Sequence, residues 1–268
     1  MNKSLKLRDI IKGLKSVVVA YSGGLDSTFL LKAAIDTLGK DNVLAVTARS
    51  ETYPLSEYIE ARSIAKKLGV KQITINTREL GIKNFISNPV NRCYYCKKEL
   101  FKRLNAIKES YGMKHVVDGT NLDDIKDTRH GSLAAQEEAV KRPLLEARIT
   151  KDDIRAFSKK ERLPTWNKPS RACLASRFPF NDKITVSGLK RIEDAEGCMH
   201  RMGFKQVRVR LHGKTARIEV PGNDLNLGLK LKEKIVRELK DLGFIYVTLD
   251  LEGYRTGSMH EAAVLTKR

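Results

Sequence analysis

Over roughly the first 160 residues, short apolar runs alternate with stretches of helical spacing. SVVVAY (16–21), NVLAVTA (42–48), KQITIN (71–76) and HVVDGT (115–120) have the length and β-branched content of strands. Between them, LDSTFLLKAAIDTLG (25–39), LSEYIEARSIAKKLG (55–69) and CKKELFKRLNAIKESYG (96–112) place apolar residues every three or four positions and end in glycine. Such alternation predicts an α/β fold: βαβ units forming a parallel sheet with helices on both faces. TKDDIRAFSKKERLP (150–164) predicts one more helix, with Thr150 and Asp153 spaced as a capping box and Pro164 as the stop. The opening MNKSLKLRDIIKGLK is amphipathic and basic, without the apolar core of a signal peptide.

Beyond residue 164 the pattern changes. TWNKPSRACLASRFPFND (165–182) has no periodicity and reads as a functional loop or linker, since long irregular segments inside compact chains are usually functional or disordered. A helix (186–204) follows, then KQVRVRLH, the turn HGK and the return run TARIEV, which together predict an antiparallel hairpin. The helix LKLKEKIVRELKDLGF and the strand GFIYVTLDL close the chain's regular pattern. The expected organisation is an α/β domain over 1–164, a cysteine-bearing loop over 165–182, and a smaller C-terminal α+β domain over 183–268 for substrate binding or oligomerisation.

The formal net charge of +19 either favours anionic partners, nucleic acid or small anionic substrates drawn into a cleft, or reflects a bias of the whole proteome without functional content. Lys and Arg are scattered without a basic block, so the charge locates no patch. No run approaches the ~20 apolar residues that span a bilayer. Four cysteines in 268 residues are too few for a secreted disulfide scaffold, and a cytoplasmic protein is expected.

The sharpest chemistry is SGGLDS (22–27), set between a strand and a helix. Gly23 and Gly24 permit a tight turn, the helix N-terminus offers free N–H groups, and Ser22, Ser27 and Thr28 add hydroxyls. A phosphate group is the expected guest. No lysine follows the glycines, so this is not the common NTPase loop. Asp26 beside phosphates calls for a divalent cation, Mg²⁺, between them. In this context SGGxDS resembles the pyrophosphate loop of ATP pyrophosphatases. That likeness implies cleavage of ATP between the α and β phosphates, with adenylation of a substrate oxygen.

Cys93 and Cys96 open a predicted helix, and Cys173 lies in the irregular loop. A zinc site wants four ligands. The fourth cysteine, Cys198, sits mid-helix where packing is the usual role, and His200 at spacing two faces away from it. Three thiolates with one open position suit a 4Fe–4S cluster whose remaining iron can carry sulfide.

SGGLDST, NRCYYCKKELF, VVDGTNLDD, RPLLEARITKDDIRAF, LPTWNKPS, ACLASRFPF, GFKQVRVRLHG, ARIEVP and YVTLDLEGYRTGSM together resemble the LarE family of ATP-dependent sulfur transferases, from about residue 16 to 262. The resemblance implies adenylation of a carboxylate of pyridinium-3,5-biscarboxylic acid mononucleotide. Sulfur then replaces oxygen to give a thiocarboxylate, a step towards the nickel-pincer nucleotide. Some members sacrifice the sulfur of the cysteine at the Cys173 position; others have three cysteines and resemble cluster-dependent enzymes, as this chain does. The chain departs from the family at Ser170 and Arg171, where small residues are usual, and in DTRHG (127–131), where Tyr-Arg-Pro is common.

By that resemblance Ser22, Gly23, Gly24, Asp26, Ser27, Thr47, Gly119 and Asn121 contact ATP, with Asp26 and Cys173 in the chemistry and Cys93, Cys96 and Cys173 as metal ligands. Arg208 and Arg210 match a substrate-phosphate clamp, with Arg177, Glu196 and Glu219 as weaker substrate candidates. Alternation alone makes those arginines a solvated strand face opposite Val207 and Val209, and the other three simply exposed. A small anionic nucleotide, a sulfur donor and a homo-oligomeric state are further implied. The competing readings are a tRNA thiolase, which would use the positive charge directly, and a non-enzymatic nucleotide-binding metalloprotein; nucleic acid is the less favoured partner because no RNA-binding module is recognisable.

Overall fold

The computed structural model describes residues 2–125, 129–169, 172–255 and 258. Thr128, Ser170 and Arg171, where the sequence departs from the family pattern, lie outside the described residues. The element order is α1 (Lys3–Leu14), β1 (Val17–Ala20), α2 (Leu25–Leu38), β2 (Val43–Arg49), α3 (Leu55–Leu68), β3 (Lys71–Asn76), α4 (Lys83–Ile86), α5 (Arg92–Ser110), β4 (His115–Val117), α6 (Arg129–Glu137), α7 (Pro143–Glu146) and α8 (Lys151–Lys160). It continues with α9 (Val186–Arg201), β5 (Arg208–His212), β6 (Thr215–Glu219), α10 (Leu225–Lys230), α11 (Lys232–Asp241) and β7 (Tyr246–Leu249). No helix among the described residues is long and apolar enough to cross a membrane.

The chain forms two compact units. The first comprises Met1–Glu79 and Cys93–Arg171. Its four strands are all parallel, in the order β3-β2-β1-β4. Buried residues on β1 alternate between two apolar clusters, which is what places helices on both faces. Val17 and Val19 pack with Leu7 and Ile11 of α1, Leu30 and Leu31 of α2 and Ile154 of α8. Val18 packs on the other side with Phe101 and Leu104 of α5 and Ala134 of α6. The capping box forms: Thr150 Oγ1 accepts from the Asp153 N–H, and the Asp153 carboxylate accepts from the Thr150 N–H at 2.8 Å.

The second unit comprises Leu80–Arg92 and Ala172–Arg268. β5 and β6 form the expected antiparallel hairpin, Arg208 opposite Glu219 and His212 opposite Thr215, and β7 adds parallel to β6. Leu189, Ile192 and Met199 of α9, Val209 and Ile218 of the hairpin, and Ile235 and Leu239 of α11 are all buried.

Three features differ from the pattern read in the sequence. α5 starts at Arg92 rather than at residue 96, so both cysteines lie inside its first two turns. The predicted helix from Leu229 breaks at Leu231, whose φ of −98° and ψ of 11° separate α10 from α11. The third concerns the boundaries expected at 164 and 183. Leu80–Arg92 groups with the C-terminal half, and the segment 165–182 divides at Arg171 and Ala172. The reason is contact between residues remote in sequence. Phe85 is buried, the Asn88 amide donates to the Pro179 carbonyl at 2.6 Å, and the Asn181 and Ile184 N–H groups donate to the carbonyls of Asn88 and Ile86 at 2.9 Å.

Candidate active site

β1 is flanked by β2 on one side and β4 on the other, so the strand order reverses there. Open parallel sheets bind ligands at the carboxyl ends of strands beside such a reversal. The loop Ser22–Ser27 leaves β1 at that end, and Asp118–Asn121 leaves β4. Gly24 is the N-cap of α2 and has no side chain to take a first-turn N–H group, while its own N–H lies 3.4 Å from Ser22 Oγ. The Ser22 and Ser27 hydroxyls lie 3.1 Å apart, and the Ser22 N–H donates to Ser27 Oγ at 3.3 Å. Gly23 has φ +66°, and a Cβ there would lie 2.6 Å from Ala61 Cβ on α3. At Gly119 a Cβ would sit 3.0 Å from the Ser27 nitrogen, so glycine lets the end of β4 lie against the loop.

A cavity of about 270 Å³ results, lined by Ser22, Gly24, Asp26 and Ser27, by Asp118, Gly119 and Thr120, by Asp124, and by Lys97, Leu100 and Phe101 of α5. Burial pushes the Asp26 carboxyl above its usual range; the Lys151 ammonium, 3.9 Å away, opposes this, and Asp124 reinforces it. Asp26 Oδ1 is sealed from solvent with no hydrogen-bond partner within normal distance. With the Asp124 carboxylate acting on it, that sealed oxygen has the chemistry of a single Mg²⁺ ligand. Asn121 is fully buried and shapes the turn, its Oδ1 accepting from the N–H groups of Asp123 and Asp124. Thr47 does not line the cavity. Its hydroxyl donates to the Tyr21 carbonyl at 2.9 Å and accepts from the Gln72 amide at 2.8 Å, which ties β2 to the start of the loop.

Cys93, Cys96, Lys97, Leu100 and Phe101 fall on one side of α5 by helical spacing. Cys93 is exposed, and Cys96 Sγ lies 3.9 Å from Glu79 Oε1. Lys97 reaches Asp118 at 3.5 Å. No disulfide forms among the four cysteines. Cys173, in the second unit, exposes its side chain while its carbonyl accepts from the Ser176 N–H, the Ser176 hydroxyl and Arg177 at 2.8–3.1 Å. Among the described residues no three His, Cys, Asp or Glu are grouped as a metal site. Cys198 is buried, and burial pushes its thiol pKa up. His200 Nδ1 is 2.7 Å from the Phe204 carbonyl.

Within the second unit the five substrate candidates form one buried polar cluster, which overturns the solvated-face and exposed-residue alternatives. Arg177 forks onto Glu196 at 2.7 and 2.8 Å, and Arg210 onto Glu219 at 3.0 and 2.6 Å. Arg210 also donates to the Ser176 carbonyl, and Glu196 accepts from the Val209 N–H. Arg208 lies over the Tyr254 ring at 5.5 Å and donates to the Val207 carbonyl. All five side chains are buried. Burial, with the positive charge of Arg177 beside it, pulls Arg208 down to about 10. Burial works to raise the Glu196 carboxyl, but the Arg177 ion pair outweighs it and holds the group below the usual range. Arg217 also donates to Glu219 at 2.9 Å and reaches Asp250 at 3.6 Å, so four guanidiniums meet three carboxylates and positive charge is in excess, which suits an anionic group.

Residues 3–102 match the NAD synthase family model. The chain is 40% identical to an uncharacterised protein of Synechocystis over 99% of both chains. It is 38% identical to pyridinium-3,5-bisthiocarboxylic acid mononucleotide synthase of Lactiplantibacillus plantarum over 99% of this chain and 95% of that protein. The chain belongs to the LarE family. Similarity to the glutamine-dependent NAD(+) synthetase of Aquifex aeolicus, 36% identical, covers only 28% of this chain and 14% of that protein. The LarE-family chain thus shares residues 3–102, which contain the phosphate loop, with the NAD synthase family, and nearly its whole length with a narrower group. In it the loop residues and Gly119 line one cavity, while Arg177, Glu196, Arg208, Arg210 and Glu219 share another site. Sequence reasoning missed Lys97, Asp118, Asp124 and Lys151. The first follows the cysteine pair directly, so helical phase from Cys93 was the available signal; the others needed the turn after β4 and the start of α8.

Proposed function

We propose that this protein is an ATP-dependent, AMP- and pyrophosphate-forming sulfur transferase acting on pyridinium-3,5-biscarboxylic acid mononucleotide. The observation that carries the reading is the uncapped, glycine-lined phosphate loop with its orphaned Asp26 oxygen, in a chain alike from end to end to the bisthiocarboxylic acid mononucleotide synthase. A substrate carboxylate oxygen attacks the α phosphorus of ATP, and the bond to the bridging oxygen breaks, its electron pair leaving with pyrophosphate. The N–H groups of Gly24 and the first turn of α2, the Ser22 and Ser27 hydroxyls, and the cations of Lys97 and Lys151 stabilise the charge that develops there. Asp26, with Asp124, would hold Mg²⁺, which supplies neutralising charge to the leaving group. A sulfur nucleophile then adds to the acyl-adenylate carbon, AMP departs with the C–O electron pair, and a thiocarboxylate remains.

Cys93, Cys96 and Cys173 would hold a 4Fe–4S cluster, which supplies the sulfur. Cys93 and Cys96, a helical turn apart on α5 and outside any disulfide, support this reading. The reading extends to a cytoplasmic homo-oligomer fed by a separate sulfur donor. Its test is anaerobic incubation with ATP, Mg²⁺, sulfide and the biscarboxylic nucleotide. AMP and pyrophosphate should form in step with a product in which sulfur has replaced oxygen, and no AMP in the presence of all four would refute it.

Arg208 and Arg210 are assigned to the substrate phosphate. Arg208→Ala should weaken substrate binding by ~1.5–3 kcal/mol, about tenfold to over a hundredfold, with ATP binding unchanged. Arg210→Ala should also lower the melting temperature, since it strips Glu219 of its bidentate partner. Calorimetric titration of both variants with substrate and with ATP decides; unchanged substrate affinity would return Arg208 to a packing role.

A further inference from the structure

Lys168 is a buried lysine in the irregular segment, and the chemistry above does not use it. Its ammonium forms ion pairs with Glu57 at 2.8 Å and Glu60 at 2.7 Å, both on α3, and donates to the Gly23 carbonyl at 3.2 Å. Ala61, on the same helix, is the residue that abuts Gly23. Next to it, Tyr53 donates its hydroxyl to the Ser22 carbonyl at 2.6 Å. Two consecutive peptides of the phosphate loop therefore have their carbonyl oxygens held by side-chain donors. In a trans peptide the N–H points opposite to the carbonyl. Holding the carbonyls of Ser22 and Gly23 thus fixes the directions of the Gly23 and Gly24 N–H groups.

Two carboxylates on one ammonium also decide how Lys168 acts. Glu57 and Glu60 neutralise its charge, so it contributes little long-range attraction to a phosphate. The distance that remains unexplained by ion pairing is the one to the Gly23 carbonyl. We propose that Lys168, seated on Glu57 and Glu60, is a positioning residue that orients the phosphate-loop peptides, with Tyr53 as its counterpart one peptide earlier. Lys168 touches no substrate in this role; it acts through Gly23. The proposal rests on the pyrophosphate-forming reading of the loop.

Lys168→Met alone leaves a buried Glu57 facing another carboxylate, and that can unfold the chain. The decisive variant is therefore Lys168→Met/Glu57→Gln/Glu60→Gln, which removes the charges together and keeps the volume. Inorganic pyrophosphate with Mg²⁺ is titrated calorimetrically into wild type and variant, and kcat and KM for pyrophosphate formation are measured alongside melting temperature. The variant is expected to melt within a few degrees of wild type, to bind pyrophosphate at least tenfold more weakly and to lose at least tenfold in kcat. The KM for the biscarboxylic nucleotide should stay within twofold. A folded variant with wild-type pyrophosphate affinity and kcat overturns the positioning role while leaving the proposed function standing. A wild type that neither binds pyrophosphate nor forms it overturns both.

Discussion

Asp26→Asn is expected to cut pyrophosphate release at least tenfold, and towards a thousandfold, while raising the melting temperature of the ligand-free protein. The two effects share one cause. Burial disfavours the Asp26 carboxylate, and one of its oxygens has no partner. Its folded-state pKa therefore lies above the unfolded value near 4. The folded chain holds this proton more tightly, so stability falls as pH rises from that value through the raised one, and at neutral pH the charged form is a net cost. Asparagine removes the cost and the Mg²⁺ ligand together. The lost activity is on the scale of removing one preorganised oxyanion-stabilising donor, about 10²–10³. Thermal melts with and without Mg²⁺–ATP provide the check: the ion complex should stabilise wild type strongly and the variant weakly. Wild-type turnover in the variant at saturating Mg²⁺ would remove Asp26 from the mechanism.

Serine at Cys93, Cys96 or Cys173 should each abolish bound iron and sulfide in anaerobic preparations and end repeated turnover, whereas Cys198→Ser should do neither. The contrast rests on placement. Cys93 and Cys173 are exposed, and Cys173 is presented on a turn whose carbonyl takes three donors, while Cys198 is buried against Arg201. Adenylation should survive in all four variants, because none of these thiols belongs to the phosphate loop. Metal analysis and protein mass spectrometry read the result independently of activity. Zinc in place of iron after anaerobic preparation would reject the cluster. Dehydroalanine at Cys173 accumulating in step with product would show that the chain spends its own sulfur.

What the sequence made legible was local. The phosphate loop, the Thr150–Asp153 capping box and the antiparallel β5–β6 hairpin all depend on neighbours within a few residues or on strict alternation. Gly119 was legible by its motif, although its reason, a 3.0 Å approach to the Ser27 nitrogen, was not. Alternation put Arg208 and Arg210 on one face but could not say that the face is buried. That depends on Glu219, on a facing strand, and on Glu196, on a helix, each neutralising an arginine as both leave water. Lys168 was hidden for the same reason, since its partners Glu57 and Glu60 lie over a hundred residues away. The segment Leu80–Arg92 gave no signal because backbone groups hold it as much as side chains do.

That segment also sets the order of events during synthesis. Its packing partners Phe178–Ile184 emerge from the ribosome roughly 90 residues later, a delay of about 5–20 s at ~5–20 residues/s. Throughout that interval the segment lacks those hydrogen-bond partners, while the strands that precede it, β1 to β3, are already available to pair. The nascent chain must therefore carry an unfinished apolar loop on a half-built sheet. This is the stage at which a chaperone, or a neighbouring nascent chain, would find it.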